Sequence, residues 1–253
     1  MIQLPFNNVD YKETHKPHGG DKLAYRLIIL IIASINPHYD EFKKCWDVYA
    51  SKFPEVKCFF LYSDPSIKAD VIVGKDTITH KYEEWYEPGI LFKTIAGMEM
   101  CSQLFHYDYL LRTNLSSFIH IPRILEFLKT QPTSNYIAAK TNIYREGVVC
   151  LSGAGFILSR DVVQSFLRVI TENRITNDVI QLPDDVAISK ILEDYVKIEK
   201  FTEILRYDCE EVTLPESIPN HIFHIRNKTE WKYHHREIDI ENMTRQIAYF
   251  YNV

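Results

Sequence analysis

The stretch Leu27-Ile-Ile-Leu-Ile-Ile-Ala-Ser34 constrains the fold more than any other. It is rich in β-branched residues and offers no polar face to water. A strand alternates its side chains between two faces, so both faces of this one must be covered by further layers. The run falls far short of the roughly 20 apolar residues of a membrane-spanning helix. It reads as an inner strand of a parallel sheet. Residues 56–62 and 107–111 have the same character, and shorter strands are expected at 69–73, 136–139 and 148–158, the last with a glycine-containing bend. Helical spacing of apolar residues falls between them: Phe42, Trp46 and Tyr49 in 39–52, then 89–104, 121–128, 161–171, 185–192 and 239–251. Strands alternating with helices predict an α/β/α sandwich with a mostly parallel central sheet. No repeat, low-complexity tract or Pro/Gly-rich linker divides the chain, so one domain is expected over 26–253, after an irregular segment over 1–25.

An apolar fraction of 46% with 13% aromatic residues supplies one large core. Lysine and arginine (29) are outnumbered by aspartate and glutamate (34), which leaves no electrostatic footprint for nucleic acid. The first 25 residues are polar and lack the apolar core of a secretory signal, so a cytoplasmic protein with no membrane partner is expected. Five scattered cysteines without a CxxC spacing read as free thiols in a reducing compartment. The sequons at Asn114, Asn227 and Asn242 then read as chance. Nothing in the pattern sets an oligomeric state.

Parallel sheets bind ligands at the carboxyl ends of their strands. That rule points to Ser34, to the Ser63-Asp64 turn and to the turn over 112–117. GxGxxG, Walker, GxSxG and HExxH motifs are absent, which leaves the common dehydrogenase, nucleotide-hydrolase and zinc-protease readings without support.

Several segments in order resemble the beta-1,3-galactosyltransferase and fringe group of glycosyltransferases, over about residues 27–228. Lys43-Lys-Cys-Trp46, followed by the strand ending at Asp64, is similar to the group's Arg-x-Thr-Trp helix and second strand. Tyr86-Glu-Pro-Gly-Ile-Leu-Phe-Lys-Thr94 is similar to its Tyr…Asn-Leu-Thr-Leu-Lys-Thr helix start. The strand 107–116 stands where the group's strand ends in a metal-binding DxD. Cys150-Leu-Ser-Gly-Ala-Gly-Phe-Ile-Leu-Ser159 resembles its Ser-Gly-Gly-Gly-Tyr-Val-Leu-Ser, Pro183-Asp-Asp-Val186 its Glu/Asp-Asp-Val, and His221-Ile-Phe-His224 its C-terminal histidine.

The resemblance implies the GT-A (Rossmann-like) fold. It also implies transfer of a monosaccharide from a nucleotide sugar, UDP-linked, to a hydroxyl of a glycan or glycoconjugate, with inversion. Such a transfer needs one base on the acceptor hydroxyl, and Asp185, with its neighbour Asp184, stands at that position. Helix capping is the plain alternative for the pair. The leaving diphosphate needs cations, but Asn114-Leu115-Ser116 replaces the acidic triplet, so Mn2+ or Mg2+ is left open. Three readings stand: a metal held by phosphate and His224, a metal-free clamp from Lys93, Arg112, Arg226 and Lys228, or lost activity. For the turn over 112–117, an Asx- or Ser-capped turn is the structural alternative. Strand alternation puts 224, 226 and 228 on one face, as a phosphate cradle would need. Gly153, Ala154 and Gly155 would admit backbone close to a ligand, or simply form a bulge. Asp64 would bind base or ribose, or merely shape its turn. Trp85, Tyr86 and Trp231, the last with His234 and His235, are aromatic groups that a sugar site could use. The rivals are a nucleotide-sugar-binding or glycan-binding module of weak or no activity, and a retaining transferase or nucleotidyltransferase on the same frame.

Overall fold

The computed structural model describes residues 4–12, 22–198, 200–229 and 236–252. Twelve strands stand among the described residues. They are β1 Val9–Tyr11, β2 Leu23–Ile32, β3 Val56–Ser63, β4 Val71–Val73, β5 Thr77–His80, β6 Phe105–Asn114, β7 Ser117–Ile119, β8 Ile137–Ile143, β9 Val149–Ser159, β10 Thr202–Glu203, β11 Arg206–Cys209 and β12 His224–Asn227. The helices are α1 Pro37–Tyr49, α2 Gly89–Leu104, α3 Ile121–Leu128, α4 Arg160–Thr171, α5 Asn177–Ile180, α6 Asp184–Lys190 and α7 Glu237–Tyr251.

The large sheet runs β1-β4-β5-β3-β2-β6-β9-β8-β10, and a small one runs β11-β12-β7. In the large sheet the pairs β1/β4, β5/β3, β3/β2, β2/β6 and β8/β10 are parallel, while β4/β5, β6/β9 and β9/β8 are antiparallel. The chain is thus a Rossmann-like α/β sandwich with a mostly parallel sheet. Alternation along β2 shows the layers. Ile28 and Leu30 join Phe59, Leu61 and Leu110 beneath α2 and α4, whereas Leu27, Ile29 and Ile31 join Phe60, Tyr109 and Leu111 beneath α1, α3 and α7. All five β2 residues of that run are buried, which is what an apolar run without a polar face requires.

Local chemistry sets the boundaries. Asn36 caps α1 by accepting from the His38 amide at 3.0 Å, and Pro37 occupies the first turn, where its missing N–H costs nothing. The helix therefore starts two residues before the periodicity predicts, and residues 50–52 close it as a tighter turn. The segment expected to be irregular contributes β1, and Leu23–Tyr25 lengthens β2 into it. The helix expected over 185–192 is instead α6 followed by a π-type turn, Ile191–Val196. All five cysteines are unpaired, and burial pushes the Cys58 thiol up to about 12. No helix among the described residues is long and apolar enough to cross a membrane.

Candidate active site

Parallel β2 and β6 end side by side, with Ile32 in register with Asn114. Beyond their carboxyl ends lies a cleft of about 530 Å³, lined among others by Ser34, Lys93, Arg112, Asn114, Ser116, Gly153, Ala154, Asp184, Asp185, Arg226 and Lys228. Its size is that of a small-molecule site, roughly 300–1,000 Å³. Eleven of the fourteen residues singled out in the sequence line it; Asp64, Gly155 and His224 do not. Trp85 and Tyr86 also line it, while Trp231, His234 and His235 lie outside the described residues.

The cleft is charged against the chain as a whole. Among its described lining residues Lys93, Arg112, Arg226, Lys228 and Arg236 oppose Glu84, Asp184 and Asp185, a formal +2 in a protein of net charge −5. An anion is the ligand that such a lining favours. Three of the cations have carboxylate partners. Arg236 Nη1 pairs with the buried Asp239 carboxylate at 3.2 Å. Lys93 Nζ donates to the Ala33 carbonyl at 2.7 Å and pairs with the Glu84 carboxylate, and burial pulls its ammonium below the ordinary lysine range. Arg112, with a side chain only 2% exposed, pairs with the equally enclosed Asp184 carboxylate. Its other amino group donates to Asn114 Oδ1 at 3.3 Å. Burial pushes the Asp184 carboxyl up, against the pull of Arg112.

The two aspartates, adjacent in sequence, are held differently. Asp185 Oδ2 accepts from the Gly153 amide at 3.0 Å and its Oδ1 from the Val186 amide at 3.0 Å. Its carboxylate is thus aimed by backbone donors, it pairs with no cation among the described residues, and it lines the cleft. Ser189 fastens the same helix turn to the sheet: its hydroxyl donates to the Asp185 carbonyl at 2.6 Å and accepts from the Leu151 amide at 2.9 Å.

β9 makes this aim available by leaving its ladder. Ala139 pairs with Phe156 and Thr141 with Leu151, so residues 152–155 of β9 stand opposite the single Lys140 of β8. This is the bend expected from the glycines, realised as a long irregular bulge of four residues against one. A Cβ at Gly153 would sit 3.0 Å from Asp185 Oδ2, and one at Gly155 would sit 2.4 Å from His224 Cε1. At Gly155 only glycine permits that approach, while at Gly153 a side chain would push the Asp185 carboxylate aside. Ser152 is anchored by Arg206, whose Nη1 donates to its hydroxyl at 2.6 Å, and Arg206 is itself oriented by Asp208.

His224 does not join the cradle expected of 224, 226 and 228. The β9 backbone at Gly155 roofs it, leaving it 1% exposed, and its Nε2 shares a 3.2 Å hydrogen bond with Ser117 Oγ. Burial, with Arg206 next, pushes its imidazole down to about 3, so it is a neutral core group. Asp64 accepts from the Ser66 amide and hydroxyl at 2.9 and 2.6 Å, which shapes its exposed turn. The donors beside β6 do not fit a divalent ion. Asn114 turns its oxygen to Arg112, Asp184 is paired, and no cluster of three metal-ligating side chains stands among the described residues. Sequence reasoning missed Glu84, Asn142, Arg206 and Arg236. Arg236 precedes α7, far along the chain from any strand end, and no local pattern marks it.

No family model matches the sequence, and no curated protein matches it. Solved structures share the fold. A glycosyltransferase involved in the glycosylation of the major capsid of PBCV-1 superposes with a TM-score of 0.53 at 12% identity, over 87% of this chain and 98% of that one. The glycosyltransferase GlyE of Streptococcus pneumoniae TIGR4 aligns at a TM-score of 0.49 and 12% identity, over 90% of this chain and 63% of that one. The first likeness establishes the fold and not the chemistry, and the second is too loose to add to it.

Proposed function

We propose that this chain is a glycosyltransferase that moves a monosaccharide from a UDP-sugar to a hydroxyl of a glycan or glycoconjugate, with inversion. One observation carries the reading. A net-cationic cleft at the carboxyl ends of β2 and β6 also holds a carboxylate, Asp185, that pairs with no cation among the described residues and is aimed by the Gly153 and Val186 amides. The cationic side accounts for a diphosphate and the carboxylate for a base; a mere anion-binding module has no use for the second. The fold shared with a glycosyltransferase over nearly its whole length supports the reading.

In the proposed step the acceptor oxygen attacks the anomeric carbon from the face opposite the leaving group. The new C–O bond forms as the bond to the diphosphate oxygen breaks, and the acceptor proton passes to the Asp185 carboxylate. The diphosphate leaves as an anion into the net-cationic lining that Arg226, Lys228 and Arg236 share. Asp184 serves as the fixed counter-charge of Arg112. The order of segments shared with the beta-1,3-galactosyltransferase and fringe group agrees with this division of labour.

The test is calorimetric titration with UDP, with and without Mn2+, beside an assay of UDP-glucose and UDP-galactose hydrolysis. UDP is expected to bind in both conditions and the donor to be turned over, with Asp185→Asn reducing turnover by about 10²–10⁴-fold, the scale of one acid–base group. UDP binding without turnover, or turnover indifferent to Asp185→Asn, overturns the proposal. The anomeric coupling of the product by NMR decides inversion.

A further inference from the structure

Three aromatic side chains among the described residues are mostly exposed, and two of them, Trp85 at 63% and Tyr86 at 67%, are consecutive and line the cleft. Neither ring stacks on another ring or a cation among the described residues. Large aromatic faces left open to water beside charged groups mark a surface awaiting a partner.

The segment that carries them, 81–88 between β5 and α2, is tied down rather than loose. Glu84 pairs with the buried Lys93, the Trp85 amide donates to the Glu83 carbonyl at 2.9 Å, and the Trp85 indole N–H reaches the Glu83 carboxylate. Gly89 leaves room for that fold-back, since a Cβ there would lie 2.9 Å from the Glu83 carbonyl. The Trp85 ring is therefore held before anything binds, which lowers the entropy lost on binding.

Their surroundings select the ligand. Glu83 and Glu87 adjoin the rings in the chain, and Glu84, which lines the cleft, is paired with Lys93, so this rim favours the anionic diphosphate less than the Arg226, Lys228 and Arg236 side does. Tyr86 lies within the field of Asp185 and Asp184, whose charges, after burial, push its phenol up. A group stacked here is thus a neighbour of the proposed base. A pyranose ring has a face of C–H groups and an edge of hydroxyls, which matches an aromatic face bordered by carboxylate acceptors.

We propose that Trp85 and Tyr86 form the acceptor platform, stacking a neutral pyranose so that a hydroxyl is offered to Asp185; this rests on the glycosyltransferase reading above. The platform discriminates against acidic sugars, because Glu83 and Glu87, next to the rings in the chain, meet a second carboxylate with repulsion, Glu84 being already paired with Lys93.

The experiment is saturation-transfer NMR on the full chain with UDP present, using methyl β-D-glucopyranoside, methyl β-D-galactopyranoside and methyl β-D-glucuronide as probes. The ring protons of at least one neutral pyranoside are expected to saturate, and those of the glucuronide to do so at least about tenfold less. Trp85→Ala is expected to raise the dissociation constant of the neutral probe about tenfold, the scale of one lost aromatic face, and Trp85→Phe to restore most of it. UDP affinity and the thermal midpoint should stay at wild-type values in both variants. A fall in UDP affinity on Trp85→Ala assigns the rings to the nucleotide and overturns the platform. So does absence of pyranoside binding to the wild type, or binding indifferent to Trp85→Ala. If donor hydrolysis persists in those cases only the platform fails; if the wild type neither binds UDP nor hydrolyses donor, the glycosyltransferase reading fails with it.

Discussion

Asp184 and Asp185 offer a sharp test, because the structure gives adjacent and chemically identical side chains separate tasks. Asp184→Asn strips the Arg112 guanidinium, 2% exposed, of its counter-charge. What remains to that guanidinium is neutral: the 3.3 Å hydrogen bond to Asn114, the Phe156 ring 5.9 Å away and the new amide oxygen, with no protein partner for its Nε among the described residues. Leaving a buried charge uncompensated costs about 3–5 kcal/mol. Because burial already pushes the Asp184 carboxyl up against the pull of Arg112, the lower end of that span is expected. A domain of this size shifts its melting midpoint by roughly 2–4 °C per kcal/mol, so the variant should melt about 6–12 °C early. Asp185→Asn keeps an oxygen for the Gly153 amide, gives up the acceptor of the Val186 amide and disturbs no ion pair among the described residues, so its midpoint should move by less than about 3 °C, the scale of one neutral hydrogen bond. Thermal melts followed by far-ultraviolet circular dichroism, read beside donor turnover, check both. A stable Asp184→Asn, or an Asp185→Asn that melts as early as it does, would refute the division of roles.

Three further outcomes are expected. Gly155→Ala drives a Cβ into His224 and should cost about 1–3 kcal/mol in urea unfolding, whereas Gly153→Ala displaces the Asp185 carboxylate and should lower kcat with near-wild-type stability; equal effects on both readouts count against the bulge's role. His80, buried with neither ring nitrogen bonded among the described residues, has its imidazole pushed down to about 4, first by burial and then by Lys81. The unfolded chain takes up this proton below about pH 6.5 while the fold refuses it, so stability is lost as pH falls from about 6.5 toward 4; His80→Phe should remove roughly 2 kcal/mol of the loss between pH 7 and 5, and an unchanged pH dependence refutes this. Arg226→Ala should weaken UDP binding by about 1.5–3 kcal/mol, the worth of a charged hydrogen bond, and calorimetry showing an unaltered Kd would remove Arg226 from the clamp.

The parts of the molecule legible in the sequence are those written in local periodicity. The β2, β3 and β6 runs, the exact span of α2 and of α3, and the strand-end rule together led to Ser34, Arg112 and Asn114, which the sheet does bring into one cleft. The rest depends on contacts between distant segments. Alternation assigns His224 and Arg226 the same face, but it is silent about Gly155 roofing the first and not the second. The pairing of Asp184 with Arg112 spans 72 residues, and only folding reveals that it takes one member of an Asp-Asp pair out of play. Likewise β7 and β11 are too short and too mixed in composition to show a period, yet they pair with β12, which carries Arg226 and leads into Lys228.

The register of β2 on β6 has a consequence for how the chain is made. Leu23 pairs with Phe105, so the innermost ladder joins residues 82 apart, with β3, β4, β5 and α2 spelled out in between. During synthesis at about 5–20 residues per second, β2 waits roughly 4–16 s for this partner, with an apolar edge uncovered. Contacts so far apart in sequence also slow refolding from denaturant. The nascent chain is thus most vulnerable to self-association before residue 105 emerges, and slowing initiation or lowering temperature during expression should raise the soluble yield more than any substitution in the finished cleft.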